Sequence, residues 1–465
     1  MPFSPYLESK RADCAKLVEI LGKSFDYVSI LGTDVSGNSY RADRMSSAAQ
    51  DGDGECGFVV KMHDRNSFYE YSLDDISGDK EALAKKILDS VKISDELKAK
   101  SICSAAVSDE PMKKDFVRET DFEEYDDKQL LEICRNLSEK LCAMDEKVLN
   151  GVVMIRTLTV NKLFVTKNRQ LTQHYGWANG YLIAIYRDEK LVQARKIFGE
   201  GTLKDVLDQM NGGAQSVVDL ARHLVKAKPV KPGVYDVITD PSVTGLIAHE
   251  AFGHGVEMDQ FVKDRALAKN FVGKPVASPI TSMHDGANAV YSVASYFFDD
   301  DGVLAHDTQI IKDGILVAGL SDLTSATQLK TEPTGNGRRE SYRRKAYSRM
   351  TNTFFTPGKD KFADMIASVK HGYMLFETNN GMEDPKNWQI QCTAEYGIEI
   401  VDGKLTENYV SPVVMSGYVP DLLKSISMIS DEFKVFGSGF CGKGYKEWVR
   451  VSDGGPHLKV RVKLG

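Results

Sequence analysis

The sequence predicts an α+β protein in which mixed α/β N-terminal modules are followed by a strand-rich C-terminal domain. Three observations predict this class. Amphipathic helical patterns alternate with strand-like runs in the first half of the chain. Two Asp-Gly pairs lie between apolar alternations in the second half, as expected of two-residue hairpin turns. The chain has 465 residues, 42% of them hydrophobic and 27% charged, which is enough for two or three domains.

The charge balance and the cysteines narrow the class of protein. A net charge of -7, from 59 Lys+Arg and 66 Asp+Glu, argues against a general nucleic-acid binder. Seven cysteines without a C-x-x-C pair suit a reducing compartment. The chain has neither the apolar run of a membrane span nor the N-terminal pattern of an export signal. We therefore expect a cytoplasmic protein with no membrane partner.

Two N-terminal modules are predicted, an α/β module over residues 1–115 and an α+β module over residues 116–228. The first begins with a helix, "YLESKRADCAKLVEILGKS", and continues with the strands "SFDYVSIL" and "CGFVVKMH" and the helix "DKEALAKKILDSV". The charged stretch that begins at Ser108 predicts an exposed connection. In the second module, the helix "DKQLLEICRNLSEKLCAMDEKV" precedes alternating strands and another helix up to His223.

The third predicted module is a β-rich domain over residues 229–465. A linker, "KAKPVKPG", precedes the strand "VYDVITDP", which leads directly into a segment with two histidines. Further along, "TQIIKDGILVAG" and "GIEIVDGKLTEN" each place Asp-Gly between two strand-like runs. These two segments predict hairpins.

The segment "GLIAHEAFGH", residues 245–254, is a candidate metal-binding helix with unusual spacing. Asp240-Pro241 fits an N-cap followed by proline at the first helical position, so we expect a helix to begin there. His249 and His254 are five residues apart, whereas the usual H-E-x-x-H signature spaces its histidines by four. On a regular helix, residues five apart differ in direction by about 140°, which is too far for two imidazoles to bind one ion.

A distortion of the helix would solve this problem. Gly253 precedes the second histidine, and a glycine there makes a π-bulge or local break inexpensive, which would return His254 to the side of His249. Spacing favours a metal site over two structural histidines. A catalytic zinc site usually needs three protein ligands. The candidates for the third ligand are Glu257, His284, His306 and Cys441.

Cys441 stands out among these candidates because it lies in "FGSGFCGKG", where flanking glycines allow a tight backbone and leave the sulfur uncovered. A thiolate is a good zinc ligand. Two other interpretations stay open at this point, an unbonded loop thiol and a nucleophile paired with a distant histidine.

Five segments, in this order along the chain, resemble the TldD/PmbA family and specifically its TldD-type zinc metalloprotease subunit, once described as a modulator of DNA gyrase. They are "HEAFGHGVEMD" (249–259), "DDDGV" (299–303), "PTGNGRRESY" (333–342), "RMTNT" (349–353) and "SGFCGK" (438–443). The resemblance covers the third module and, more faintly, the first two.

The resemblance implies a Zn²⁺ ion held by His249, His254 and Cys441, with Glu250 as general base on the zinc-bound water. It implies a peptidase that hydrolyses unfolded or short peptides inside a dimer cavity, with a PmbA-like subunit or a second copy as partner. Two alternatives remain, a non-catalytic regulatory or binding subunit that acts through a partner, and a cysteine hydrolase that uses Cys441.

The basic stretch "GNGRRESYRRKAYSRM", residues 335–350, has two interpretations. Its arginines and tyrosines could bind nucleic acid, but in an acidic chain a solvated face is favoured. The family match suggests a third role, in which Asn336, Arg338 or Arg339 line the peptide channel and bind the substrate.

Overall fold

The structure is a computed structural model that describes residues 3–52, 54–91, 106–444 and 446–465. These residues form an α+β fold, as predicted, with three larger sheets and short helices in the C-terminal half. The α-helices of the described residues are α1 (Pro5–Leu21), α2 (Lys80–Ser90), α3 (Asp127–Ala143), α4 (Leu203–Lys226), α5 (Pro241–Leu246), α6 (Met258–Val262), α7 (Leu323–Leu329), α8 (Phe362–Ala367) and α9 (Val419–Lys424).

An eight-stranded sheet forms the N-terminal part of the molecule. Its strands are β1 (Tyr27–Ala42), β2 (Ser47–Asp51), β3 (Glu55–His63), β4 (Phe68–Leu73), β5 (Met112–Val117), β6 (Val148–Thr166), β7 (Arg169–Arg187) and β8 (Leu191–Glu200). The order is β4-β3-β1-β6-β7-β5, with β2 beside β1 and β8 beside β7. Strands of both predicted N-terminal modules thus lie in one sheet, and the division into three domains stays a prediction.

The four long helices bury their apolar faces against this sheet. Helix α1 begins as its sequence indicates, because the Ser4 hydroxyl accepts a hydrogen bond from the Leu7 N–H and Pro5 occupies the first turn. Helices α1 and α2 share one core cluster with β1, β3 and β6. Helices α3 and α4 share a second cluster with β6, β7 and β8.

The charged stretch that begins at Ser108 was predicted to be an exposed connection. The structure corrects this prediction, because the stretch contains strand β5. This strand pairs in parallel with β7, from Met112 opposite Arg169 to Val117 opposite His174. Most of its side chains are exposed. An edge strand exposed to solvent tolerates charged residues, which explains why the sequence suggested a loop.

Two larger sheets build the C-terminal part. The six-stranded sheet contains β10 (Met283–Asp285), β11 (Thr308–Lys312), β12 (Ile315–Leu316), β15 (Asn352–Phe355), β21 (Lys434–Lys443) and β22 (Lys446–Gly455). The seven-stranded sheet contains β9 (Gly233–Thr239), β16 (His371–Asp384), β17 (Gln389–Val401), β18 (Lys404–Val410), β19 (Val413–Tyr418), β20 (Met428–Ile429) and β23 (Leu458–Leu464). A separate pair consists of β13 (Gly337–Arg338) and β14 (Tyr347–Ser348).

The seven-stranded sheet closes on itself. Strand β16 pairs with β9 and also with β17, so β16, β9, β23, β19 and β17 form a ring. Both predicted Asp-Gly hairpins are present. Asp313 and Gly314 turn between β11 and β12, and Asp402 and Gly403 turn between β17 and β18, all four with positive φ. Positive φ at both central residues is the requirement of a type I′ turn.

Candidate metal centre

The predicted helix with the two histidines begins at Pro241 and changes its winding at Ile247. The Asp240 carboxylate caps its first turn by accepting a hydrogen bond of 2.8 Å from the Val243 N–H. The α-helical turns end at Leu246, and a π-helix spans Ile247–Gly253. The expected distortion is therefore present and covers a full turn.

The π-helix brings the two histidines together. In this winding a backbone N–H bonds to the carbonyl five residues back, so residues five apart lie on the same side. The ring centres of His249 and His254 are 5.2 Å apart, with an angle of 88° between the ring planes. His249 is buried, and His254 is partly exposed.

Gly253 has a packing role that the sequence did not indicate. Its backbone has ordinary helical angles, with φ of -61°, so it does not relieve a strained conformation. A β-carbon at this position would lie 2.0 Å from the sulfur of Met350. The absence of a side chain allows the π-helix to pack closely against the Met350 segment.

Cys441 reaches the histidines from strand β21, which lies 187 residues further along the chain. Its sulfur is 3.3 Å from Nε2 of His254. The pairing of β21 with β22 shifts register on both sides of this residue, between Phe436 and Gly439 and between Cys441 and Lys443. Such irregularities re-aim side chains, and here one of the re-aimed residues is the buried cysteine.

The three donor groups fit a zinc ion. One ligand atom from each of His249, His254 and Cys441 can be chosen so that all lie within 4.8 Å of one another. Two imidazole nitrogens and one thiolate are ligands that zinc accepts. Usual zinc–ligand lengths place nitrogen and sulfur about 3.6 Å apart around a tetrahedral ion. The distance of 3.3 Å between Sγ and Nε2 is close to that value.

Glu257 contacts the ring nitrogen of His254 that does not face Cys441. Its Oε2 atom lies 3.2 Å from Nδ1 of His254, and its Oε1 atom accepts a hydrogen bond of 3.3 Å from Nε of Arg349. A histidine that donates from Nδ1 to a carboxylate presents the lone pair of Nε2 to a metal. Glu257 is therefore placed to orient His254, and its carboxylate is already engaged by His254 and Arg349.

Two cations, the buried Arg349 and the partly buried Lys443, complete this arrangement. Nη2 of Arg349 donates to the Cys441 sulfur at 3.0 Å and to the Cys441 carbonyl at 2.8 Å. Nζ of Lys443 lies 3.2 Å from Oε2 of Glu257 and 2.6 Å from Oδ1 of Asp259. The cations balance the carboxylates and the thiolate in a region with little water.

Charge interactions shift the pKa values of this group strongly. Burial alone would raise the pKa of the Cys441 thiol, but His254 and His249 outweigh it, and that pKa lies well below its usual value. Burial would lower the pKa of His249, whereas Cys441 raises it to about 9. Burial would raise the pKa of Glu257, yet Lys443 and His254 lower it well below its usual value. A deprotonated sulfur is the form that binds a metal.

Glu250 lies in the same cavity as the donor atoms. The cavity has a volume of about 670 Å³. Its wall includes the three donor residues, the acidic side chains and two large aromatic residues; these are His249, Glu250, His254, Glu257, Glu383, Phe440, Cys441, Trp448 and Asp453. The cavity therefore places a carboxylate in the same space as the three groups that could hold a metal.

The two histidine candidates for a third ligand are not in this cavity. His284 lies on β10, where its Nδ1 atom is 2.7 Å from the Asp307 carboxylate. His306 is exposed in a connecting segment. Neither residue is among those that line the cavity.

The three residues proposed to bind substrate do not line this cavity either. Asn336 is fully buried and donates to the Asp285 carboxylate and to the Arg349 carbonyl. Arg338 and Arg339 line a neighbouring cavity of about 430 Å³ between the N-terminal sheet and the C-terminal part. A role in substrate binding stays a prediction, and for Arg338 and Arg339 it concerns this second cavity.

The basic stretch 335–350 is only in part the solvated face that was favoured. Arg343, Arg344 and Lys345 are exposed, in agreement with that interpretation. Arg339 and Arg349 are buried, which contradicts it. Arg339 pairs with Glu70 and Arg349 pairs with Glu257. These carboxylates come from distant segments, so the local composition of the stretch could not indicate that the two arginines are buried.

Sequence reasoning missed Arg349 and Lys443 as parts of the site. Both lie in segments that the family resemblance singled out, since Arg349 begins "RMTNT" and Lys443 ends "SGFCGK". Glu383 and Asp453 were also missed, and the sequence around them offered no comparable signal.

Two imidazoles, a thiolate and a glutamate in one cavity define a candidate hydrolytic metal centre. Residues 232–463 match the family model described as the PmbA/TldA metallopeptidase C-terminal domain. The chain belongs to the TldD/PmbA family of metallopeptidases, which confirms the resemblance seen in its five segments.

Curated relatives carry consistent names. A metalloprotease of Methanothermobacter thermautotrophicus is 33% identical over 241 residues, 52% of this chain and 52% of the relative. A zinc metalloprotease TldD homologue of Saccharolobus solfataricus is 32% identical over 263 residues, 54% of this chain and 56% of the relative. The chain spans about half the length of the curated relatives it matches.

Solved structures share the fold along nearly the whole chain. A Thermotoga maritima protein, described as a suspected modulator of DNA gyrase, matches with a TM-score of 0.79 and 18% identity, over 98% of this chain and 99% of its own. TldE from Thermococcus kodakarensis matches with a TM-score of 0.74 and 18% identity, over 97% and 100%. Among the described residues, no helix is long and apolar enough to cross a membrane.

Proposed function

We propose that this protein is a zinc-dependent peptidase of the TldD type, with His249, His254 and Cys441 as metal ligands and Glu250 as general base. The observation that carries the proposal is the meeting of three donor groups from a π-helix and a distant strand, all within 4.8 Å. The word zinc in the name of the Saccharolobus relative supports the choice of metal.

The residues around the donor atoms have separate tasks in this proposal. When bound, zinc supplies Lewis acidity, which lowers the pKa of water to about 7 and polarises a peptide carbonyl. Glu250 accepts the proton from water and later donates it to the leaving amine. Glu257 orients His254, while Arg349 holds the Cys441 sulfur in place by a hydrogen bond.

The substrate is an unfolded or short peptide, cleaved inside a cavity that a dimer encloses. The partner is a PmbA-like subunit or a second copy of this chain, and the TldE neighbour supports the first choice. Cytoplasmic localisation belongs to the same proposal. Light scattering of the purified chain, alone and mixed with a PmbA-like protein, distinguishes the two kinds of dimer.

The decisive experiment measures zinc per chain together with peptide cleavage. Wild type should hold about one zinc per chain, Cys441→Ser should lose most of it, and Cys142→Ser, which changes a thiol far from the site, should keep it. Glu250→Gln should keep zinc and lose cleavage. Cleavage by Glu250→Gln at the wild-type rate, or a wild type without zinc after zinc is supplied, would refute the proposal.

A cysteine hydrolase is a second candidate, because the Cys441 sulfur and Nε2 of His254 are only 3.3 Å apart. That mechanism uses the thiolate as nucleophile and the imidazole as acid and base. It predicts inactivation by thiol alkylation and indifference to chelators. A third candidate, the non-catalytic regulatory subunit, predicts neither metal nor cleavage.

A further inference from the structure

Arg450 is a buried arginine for which the described residues supply no carboxylate partner. It lies on β22 and is 6% exposed. Its Nη2 atom donates to the Gly437 carbonyl at 3.3 Å, and the Tyr181 hydroxyl lies beside the guanidinium as a second neutral acceptor, whereas Nε and Nη1 have no well-aligned acceptor among the described residues. Burial lowers its pKa to about 10. Because an unpaired buried charge is strongly destabilising, its presence points to a functional role.

Aromatic rings hold the guanidinium group without neutralising it. Its central carbon lies 4.1 Å from the centre of the Trp177 ring and 4.5 Å from the centre of the Phe440 ring. Such contacts fix the plane of an arginine and leave its N–H groups available at the edge. Phe440 is 51% exposed, so its ring can turn aside without disrupting a core.

Arg450 lines the cavity of about 430 Å³ between the N-terminal sheet and the C-terminal part. The other cations in its wall already have acceptors. Lys162 pairs with the Asp300 carboxylate, Arg339 pairs with Glu70, and Arg338 donates to the Met350 carbonyl. Among the described residues of this wall, Arg450 is thus the cation with two buried donor atoms that lack an acceptor.

The Arg450 cavity adjoins the candidate metal centre. Arg450 lies opposite Phe440 in the pairing of β21 with β22, and Val449 lies opposite Cys441. Phe440 and Trp448 line both cavities. Since an extended peptide advances about 3.3 Å per residue, a peptide with its scissile bond at the metal can reach Arg450 within a few residues.

We propose that Arg450 binds a carboxylate of the peptide substrate, either its C-terminal carboxylate or an acidic side chain. The inference rests on the proposed peptidase function, because it names the substrate class for that site. A carboxylate would supply acceptors for Nε and Nη1 and would neutralise the buried charge. The exposed ring of Phe440 would move aside to admit it.

The test measures peptide binding, not cleavage, in the metal-loaded protein with the Glu250→Gln substitution. N-acetylated hexapeptides are compared by calorimetry. In one pair, the two peptides differ only in whether the C-terminus is free or amidated. In the other pairs, both peptides are amidated and differ only in having glutamate or glutamine at one position, which changes from pair to pair. The peptide with the recognised carboxylate should bind about 10- to 100-fold more tightly than its neutral counterpart. The pair that shows the difference identifies the source of the carboxylate.

Variants of Arg450 test whether this residue causes the preference for a carboxylate. Arg450→Gln should abolish it and raise the melting temperature, because an unpaired buried charge is removed. Arg450→Lys should keep part of it, and the exposed control Arg344→Gln should keep all of it. No preference in the Arg450-intact protein, or the same preference in Arg450→Gln, would overturn the inference. The same peptides are also given to the zinc-loaded protein that retains Glu250. Cleavage by that protein without any binding preference would overturn the inference and leave the peptidase intact, whereas an Arg450-dependent binding preference without cleavage by that protein would refute only the peptidase.

Discussion

Glu257 organises the candidate metal centre because it contacts His254, Arg349 and Lys443 at the same time. Its carboxylate is fully buried, and its low pKa keeps it ionised. Sequence alone left it as a possible ligand on the histidine helix. The geometry favours a supporting role, in which its charge fixes the orientation of the imidazole.

We predict that Glu257→Gln weakens zinc binding about 10- to 100-fold, because the imidazole loses its charged hydrogen-bond acceptor. Competition with a chromogenic chelator measures the zinc affinity. Glu189→Gln, at an exposed turn between β7 and β8, serves as the matched control and should bind zinc like the wild type. An unchanged affinity in Glu257→Gln would show that the carboxylate does not act on the metal.

At the level of secondary structure, the π-helix depends on close packing at Gly253. We predict that Gly253→Ala lowers stability and zinc content together, because the new methyl group would collide with Met350. The expected loss of stability is about 1–3 kcal/mol, measured by urea denaturation.

Gly212 in helix α4 provides a matched control for Gly253. A β-carbon there would meet no atom within 4 Å. Gly212→Ala should therefore raise stability by about 0.5–1 kcal/mol through helix propensity, with zinc content unchanged. If Gly253→Ala behaved like Gly212→Ala, the packing argument for the π-helix would be wrong.

The cap of the histidine helix predicts a dependence of stability on pH. Burial, with a contribution from the charge of Glu377, raises the pKa of Asp240 from 3.8 to about 6. Between these two values the unfolded chain loses its proton while the folded chain keeps it. The contribution of Asp240 to stability therefore falls as pH rises from about 4 to 6, and is constant above.

Asp240→Asn should remove this fall and retain a capping side chain. The stability of the wild type relative to the variant should decrease by on the order of 2–3 kcal/mol between pH 4 and pH 6. Chemical denaturation at several pH values measures it. Parallel profiles for the two proteins would contradict the assigned pKa.

On the scale of the whole molecule, buried ion pairs join the N-terminal sheet to the C-terminal part. Nζ of Lys61 lies 2.6 Å from Oδ1 of Asp301, and both side chains are almost completely buried. Arg339 pairs with Glu70 across the same junction. The junction also contributes to the wall of the cavity next to the candidate metal centre.

We predict that Asp301→Asn destabilises the protein by about 3–5 kcal/mol, because it leaves the Lys61 ammonium buried with weaker compensation. Adding Lys61→Met should recover much of the loss, since the uncompensated charge is then removed. Urea denaturation of the two variants and the wild type measures the effect. A double variant less stable than Asp301→Asn would show that packing, not charge, holds the junction.

The sequence by itself determined the α+β class, the start of the histidine helix and both Asp-Gly hairpins. These features depend on residues close together in the chain, namely an N-cap, a proline or a turn pair, so local patterns are sufficient. The same patterns led to the loop prediction over β5, because an edge strand can be as charged as a loop.

Only the tertiary structure decided how the site is assembled. The spacing of His249 and His254 required a distorted helix, but the contact of His254 with Cys441, 187 residues away, depends on how β21 is placed beside the π-helix. The buried partners of Arg349 and the unpaired state of Arg450 depend on the same packing. Charged side chains pair with residues on other strands and sheets, which are distant in sequence. A local sequence pattern therefore does not show whether a charged side chain has a partner, because the register of the strands decides it.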